Sequence, residues 1–145
     1  MVKQHQKTFA DLMGDFANKP YHKTGRGEEG VDGYSCLGLC YAYLKKRGVD
    51  VPDSFDGLTL DTFPDYAKFN KGRALRTLLR LFQSYGTEIP AGQKMAGDVV
   101  LIKVQNETYP GIYVGNGQFM AAYLDTGVKV LPFNNNMQIL SVRRF

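Results

Sequence analysis

The chain has 145 residues, 43% of them hydrophobic, and a formal net charge of +4, which fits one globular domain over 1–145 with its own core. No apolar run approaches membrane-spanning length, and the stretch from Met1 to Phe16 carries Lys3, Lys7 and Asp11 where a signal peptide would be apolar. Neither membrane insertion nor signal-peptide export is expected. The charge is mild. The densest basic group, Lys71, Arg73, Arg76 and Arg80, falls mostly opposite an apolar stripe, as solvated helix faces do, so no nucleic-acid partner is expected.

In chain order, Phe9, Leu12, Met13 and Phe16 recur at i, i+3, i+4 and i+7, which predicts a helix with one apolar face and an exit at Pro20. Asn18 to Gly33 reads as a loop rich in Gly, Lys and Glu. It leads to Ser35, a good N-cap, followed by helical apolar spacing at Leu37, Cys40, Tyr41 and Leu44 and an end near Arg47-Gly48. Cys36 thus falls in the first turn, where unpaired backbone N–H groups and the helix dipole favour a thiolate. That is a nucleophile's placement. Cys36 and Cys40 are four residues apart, a spacing suited to one helix face rather than a disulfide, and a reducing compartment follows as the expectation. Together with His22 they match no recognised zinc spacing, so neither metal nor cofactor is expected.

Val51 to Lys71, with Pro52, Gly57 and Pro64, reads as a long irregular passage. Its aromatics Phe55, Phe63, Tyr66 and Phe69 either fold back on the domain or meet a partner, with Asp53, Asp56 and Asp65 beside them. Arg73 to Ser84 predicts a further helix, with Leu75, Leu78, Leu79 and Phe82 on one face. After Pro90 the period changes to that of strands, at Asp98 to Val104, Gly111 to Val114, Gln118 to Tyr123, Gly127 to Leu131 and Gln138 to Arg143. Gly115-Asn116-Gly117 and Asp125-Thr126-Gly127 supply tight turns between them. Helices followed by an antiparallel meander make an α+β fold, with the N-terminal helices packed on a C-terminal sheet.

Five segments, taken in order, resemble the successive motifs of the NlpC family: Lys19-Pro20-Tyr21, Cys36-Leu37-Gly38-Leu39, Gly48-Val49-Asp50-Val51-Pro52, Ala96-Gly97-Asp98-Val99-Val100-Leu101 and Gly111-Ile112-Tyr113-Val114-Gly115-Asn116-Gly117. These are papain-like cysteine peptidases that cut peptidoglycan stem peptides, and the chain looks most like the variant found with bacteriophage tail proteins. The resemblance implies that Cys36 holds the nucleophile position and Tyr21 that of the tyrosine near it. The family's general base, a histidine before the V-G-I strand, corresponds to Tyr109. Its third polar residue, in the pattern F-I-H-A, corresponds to Ala121, and the aspartate that usually precedes the cysteine corresponds to Ser35.

A cysteine peptidase needs a base to hold the thiolate and an acid to protonate the leaving amine, and histidine does both near neutral pH. A tyrosine with an ordinary pKa near 10 is protonated there, and alanine has no polar atom. Loss of a general base alone costs about 10²–10⁴-fold in rate. The expectation is a catalytically degenerate domain. The resemblance implies a structural or interaction role in a bacteriophage tail tip, made in the host cytoplasm and carried in the virion, with other tail proteins as partners and peptidoglycan as a further contact. Two other readings stand beside it: an active cell-wall cysteine endopeptidase using Cys36, with His22 as a surrogate base, and a binding module that keeps a peptide groove without chemistry.

Overall fold

The computed structural model describes residues 9–22, 33–49, 54–55, 58–59, 80, 84–105, 107–123 and 125–145. Helix α1 spans Phe9–Phe16 and turns Leu12, Met13 and Phe16 inward, as the apolar spacing predicts. Helix α2 spans Cys36–Lys46. Ser35 caps it: its side chain accepts a hydrogen bond from the Gly38 N–H at 2.9 Å, satisfying one of the donors that a helix start leaves open. Between Val51 and Lys71 the described residues form two short antiparallel strands, β1 (Ser54–Phe55) and β2 (Leu58–Thr59). The side chains of Phe55, Phe63, Tyr66 and Phe69, and of the three aspartates, lie outside the described residues. Of the helix expected from Arg73 to Ser84, Arg80 and Ser84 are described and helical, with the Ser84 hydroxyl donating to the Arg80 carbonyl at 2.8 Å.

Six strands form one antiparallel sheet: β3 (Thr87–Glu88), β4 (Val99–Val104), β5 (Glu107–Gly115), β6 (Gln118–Tyr123), β7 (Gly127–Pro132) and β8 (Met137–Arg144), in the order β3-β8-β4-β5-β6-β7. Strand alternation gives the sheet two apolar faces. Val99, Leu101, Ile112, Met120, Ala122 and Val128 pack with the two helices. Val100, Ile102, Phe119, Ala121 and Val142 make a second cluster on the other face.

β5 starts at Glu107, four residues before the expected Gly111. The proline explains the difference. The Tyr113 N–H and C=O bond to Asp98 and Gly97 beside β4, so Ile112 and Pro110 turn their backbone groups the other way, toward β6. The β5–β6 ladder begins only at Ile112, and the N–H that Pro110 lacks is therefore not needed by it. Asn116 and Gly117 both have positive φ (56° and 71°) between the paired Gly115 and Gln118, a two-residue hairpin turn of the kind the sequence predicts. Val114 is extra on its strand, a bulge that shifts the ladder by one residue.

The segment Asn18-Lys19-Pro20-Tyr21 ties the far edge of this sheet to the start of α2. Asn18 N–H donates to the Val128 carbonyl (3.0 Å) and Val128 N–H donates to the Lys19 carbonyl (2.8 Å). On its other side, Tyr34 N–H donates to the Pro20 carbonyl (3.0 Å) and His22 N–H to the Tyr34 carbonyl (3.1 Å), with Tyr21 and Tyr34 in a parallel bridge. Glycines allow this close approach. A Cβ on Gly127 (φ 79°) would overlap the Lys19 carbonyl, and one on Gly33 (φ 103°) the Pro20 carbonyl. The strap also blunts the β7 edge: Val128 is occupied by it and Pro132 has no N–H to offer.

The Ala96-Gly97-Asp98 motif anchors the other end of α2. The Tyr43 hydroxyl donates to the Gly97 carbonyl (2.8 Å) and accepts from Arg47 (2.9 Å). Asp98, 3% exposed, receives the Met95 N–H (2.8 Å) and a two-pronged contact from Arg144 (2.9 Å and 2.9 Å). Burial alone would raise its pKa. The Arg144 and Met95 hydrogen bonds and the charges of Arg144 and Arg47 outweigh it and hold the carboxyl below its ordinary range.

Two predictions follow from these contacts. Gly127→Ala should lower the unfolding free energy by about 2 kcal/mol or more in urea titration, because the methyl strikes fixed backbone and the φ is left-handed. Asp98 has a lowered pKa in the folded state, so its contribution is present above about pH 4 and fades as pH falls through the folded value. The stability gap between wild type and Asp98→Asn should therefore narrow as urea titrations move from pH 7 to pH 3.

Candidate active site

Cys36 opens α2 and belongs to neither apolar cluster; as a residue it is partly exposed. The helix start acts on it as expected, since the backbone N–H groups of Leu37 and of Cys36 itself favour the thiolate. Burial is larger and opposes them, pushing the thiol up to about 11. The expected net stabilisation of the thiolate is thus overturned: helix-mouth donors alone do not offset desolvation. One turn on, Cys40 is 3% exposed, and burial followed by the proximity of Cys36 raises its pKa as well.

Among the described residues, three tyrosines lie within electrostatic reach of the Cys36 sulfur: Tyr21, Tyr109 and Tyr123. Tyr21 is brought there by its bridge to Tyr34, two residues before the cysteine. Tyr109 comes from the part of β5 that precedes the β6 ladder. Tyr123 ends β6, and the shifted register brings it level with Tyr109. The two hydroxyls are 3.2 Å apart and the rings meet edge to face, with centroids 5.7 Å apart at 74°. Burial, before any other cause, raises the pKa of all three phenols. A nearby thiolate would raise them further. All three are therefore protonated at neutral pH, and none can take a proton from the thiol there.

Ala121 lies elsewhere in the same strand, fully buried in the second cluster among Val100, Ile102, Phe119 and Val142. It offers Cys36 no polar atom. His22 is one residue beyond Tyr21, partly exposed, with its backbone N–H held by Tyr34. Among the described residues, the balance that sets the Cys36 proton draws on burial and backbone N–H groups, with no contribution from a histidine. Ser35, where the family pattern has aspartate, caps α2. Among the described residues no group of three or more His, Cys, Asp or Glu could hold a metal ion, and no helix is long and apolar enough to cross a membrane.

Tyr123 was not apparent from sequence as a site residue. Alternation with Ala121 places it on that residue's face, but its pairing level with Tyr109 depends on the Val114 bulge. With an uninterrupted ladder from the Gly115-to-Gln118 turn, Tyr109 would face Leu124 instead.

The NlpC/P60 family model matches residues 18–143, and the chain belongs to the NlpC/P60 family. Its fold is similar to that of the NlpC/p60 domain of peptidoglycan hydrolase SagA, at 22% identity and a TM-score of 0.59, covering 94% of this chain and 96% of that one. It is also similar to a hypothetical invasion protein of Mycobacterium tuberculosis (21% identity, TM-score 0.60, 94% of this chain and 59% of that one). NlpC1 from Trichomonas vaginalis gives 22% identity and a TM-score of 0.62, over 94% of this chain and 42% of that one. The chain thus spans about three fifths or less of the length of these last two proteins. No curated protein matches it.

The elevated thiol pKa has a direct readout. Iodoacetamide alkylation of Cys36, followed by peptide mass spectrometry, should quicken by about tenfold per pH unit from pH 7 to pH 10 with no plateau, because only about one thiol in 10⁴ is ionised at pH 7. A plateau reached below pH 8 would mean an activated cysteine.

Proposed function

We propose that this NlpC/P60 domain no longer cuts peptidoglycan and serves instead as a structural or interaction component, in a bacteriophage tail tip as its sequence resemblance implies. The observation that carries this reading is the make-up of the Cys36 surroundings. The sulfur keeps the nucleophile's position at a capped helix start, but among the described residues the titratable side chains from other segments within its reach are protonated tyrosines, and its own proton is held to about pH 11. A base is required to form the attacking thiolate and an acid to release the amine, and these phenols supply no proton acceptor at neutral pH. The fold, by contrast, is intact around the site: the Ser35 cap closes the start of α2, the Tyr43–Gly97 bond ties its far end to the segment before β4, and the Asp98–Arg144 pair joins that segment to β8. A scaffold kept in order around a disarmed centre supports binding or assembly, with other tail proteins as the proposed partners.

Purified protein incubated with peptidoglycan sacculi should release no muropeptides above the level of a Cys36→Ala control, measured by liquid chromatography with mass spectrometry. Release by wild type that the Cys36→Ala substitution abolishes would establish the active endopeptidase instead. Retention on sacculi without release would favour a peptide-binding module.

A further inference from the structure

The two sides of the sheet end differently. At one side, β7 is covered by the strap and finishes in Pro132. At the other, β3 pairs with Arg143 and Arg144 of β8, and the Ile89 N–H adds a bond to the Val142 carbonyl (2.9 Å). There the ladder stops. Pro90 has no N–H to continue it, and the chain leaves through a short helical turn at Ala91–Gln93. Among the described residues no strand lies outside β8 from Met137 to Ser141.

The direction of the backbone groups along this stretch follows from β5. Tyr113 bonds toward β4, and alternation makes Gly111 and Tyr109 do the same, so their partners Val100 and Ile102 face β5 while Leu101 and Lys103 face β8. Gln138, paired with Lys103, therefore faces inward, and its neighbour Ile139 turns its N–H and C=O to the open side. These are the groups that an added strand would bond. Met137 to Val142 carries no charge and no proline, the residues that usually guard a sheet edge.

A cavity of about 290 Å³ lies where β3 and β8 part, between Glu88–Ala91 and Ile139–Val142. Ile89, Ile139, Leu140 and Val142 give it apolar walls. Glu88 also lines it, exposed and with no ion pair among the described residues.

We propose that the open edge of β8 takes an extended peptide segment of a partner protein as an added strand, with an apolar side chain in the cavity and a basic one beside Glu88. Unpaired backbone groups select an extended occupant, and the unpaired carboxylate selects its charge. A second copy of this chain, pairing edge to edge, would meet the first requirement but not the second, because Asn134 to Ser141 contains no cation. The site involves neither Cys36 nor its surroundings, so the proposal stands whatever chemistry that residue performs.

The test uses the whole chain and a soluble peptide of about six residues, alternating valine and threonine around one lysine, titrated by fluorescence anisotropy. Saturable binding is expected. Ile139→Pro, which removes the outward N–H, should weaken it by about tenfold, and Glu88→Lys by about threefold or more. The same peptide with glutamate in place of lysine should bind wild type about threefold more weakly and recover on Glu88→Lys, a reversal independent of how the proline variant folds. Absence of saturable binding would overturn the proposal, as would binding that Glu88→Lys, or an Ile139→Pro variant shown by circular dichroism to be folded, leaves unchanged. Dimerisation in sedimentation equilibrium that Ile139→Pro abolishes would overturn it too, and would assign the edge to a second copy.

Discussion

The carbonyls of Lys19 and Pro20, one residue apart, are committed to two different parts of the molecule. The first accepts from Val128 on the last strand of the sheet, and the second accepts from Tyr34 just before the central helix. Extended backbone points consecutive carbonyls to opposite sides, so a short segment can stitch two elements that have no other reason to meet. The arrangement works only because Gly127 and Gly33 have no side chains. With it in place, Tyr21, Cys36 and Tyr123 share one corner. Without it, the helix would rest, among the described residues, on its packing against the sheet and on the Tyr43–Gly97 bond toward its far end.

Electrostatics at that corner favour neutral groups. A helix mouth stabilises a thiolate through dipoles, and those dipoles are present at Cys36. They act over a short range and are fixed in size, while desolvation penalises the charge wherever water is displaced. In an active cysteine enzyme an imidazolium makes up the difference. Tyrosines bring no compensating positive charge, and the same burial that protonates the thiol also protonates them. The neutral state of each group therefore reinforces that of its neighbours.

Much of this was legible in the sequence because it is local. The apolar stripe of α1, the Ser35 cap and the Asn116-Gly117 turn each depend on a few adjacent residues, and the structure places them where the pattern does. Features set by distant partners were not legible. Pro110 reads as a strand breaker until the direction of the β5 backbone groups is known, and β3 is defined only by its pairing with Arg143 and Arg144 more than fifty residues away. The site was half legible. Cys36 declared itself by its cap, whereas the Tyr109–Tyr123 pairing rests on a one-residue bulge that leaves no mark in composition or period.

The strap has a consequence for how the chain can vary. Its bonds to Val128 and Tyr34 run through the backbone atoms of Asn18, Lys19, Pro20 and His22. Backbone hydrogen bonds do not depend on which side chain a residue carries. The side chains of Lys19 and His22 can therefore change without undoing the strap, whereas Gly127 and Gly33, which it crosses, cannot take a side chain without displacing it.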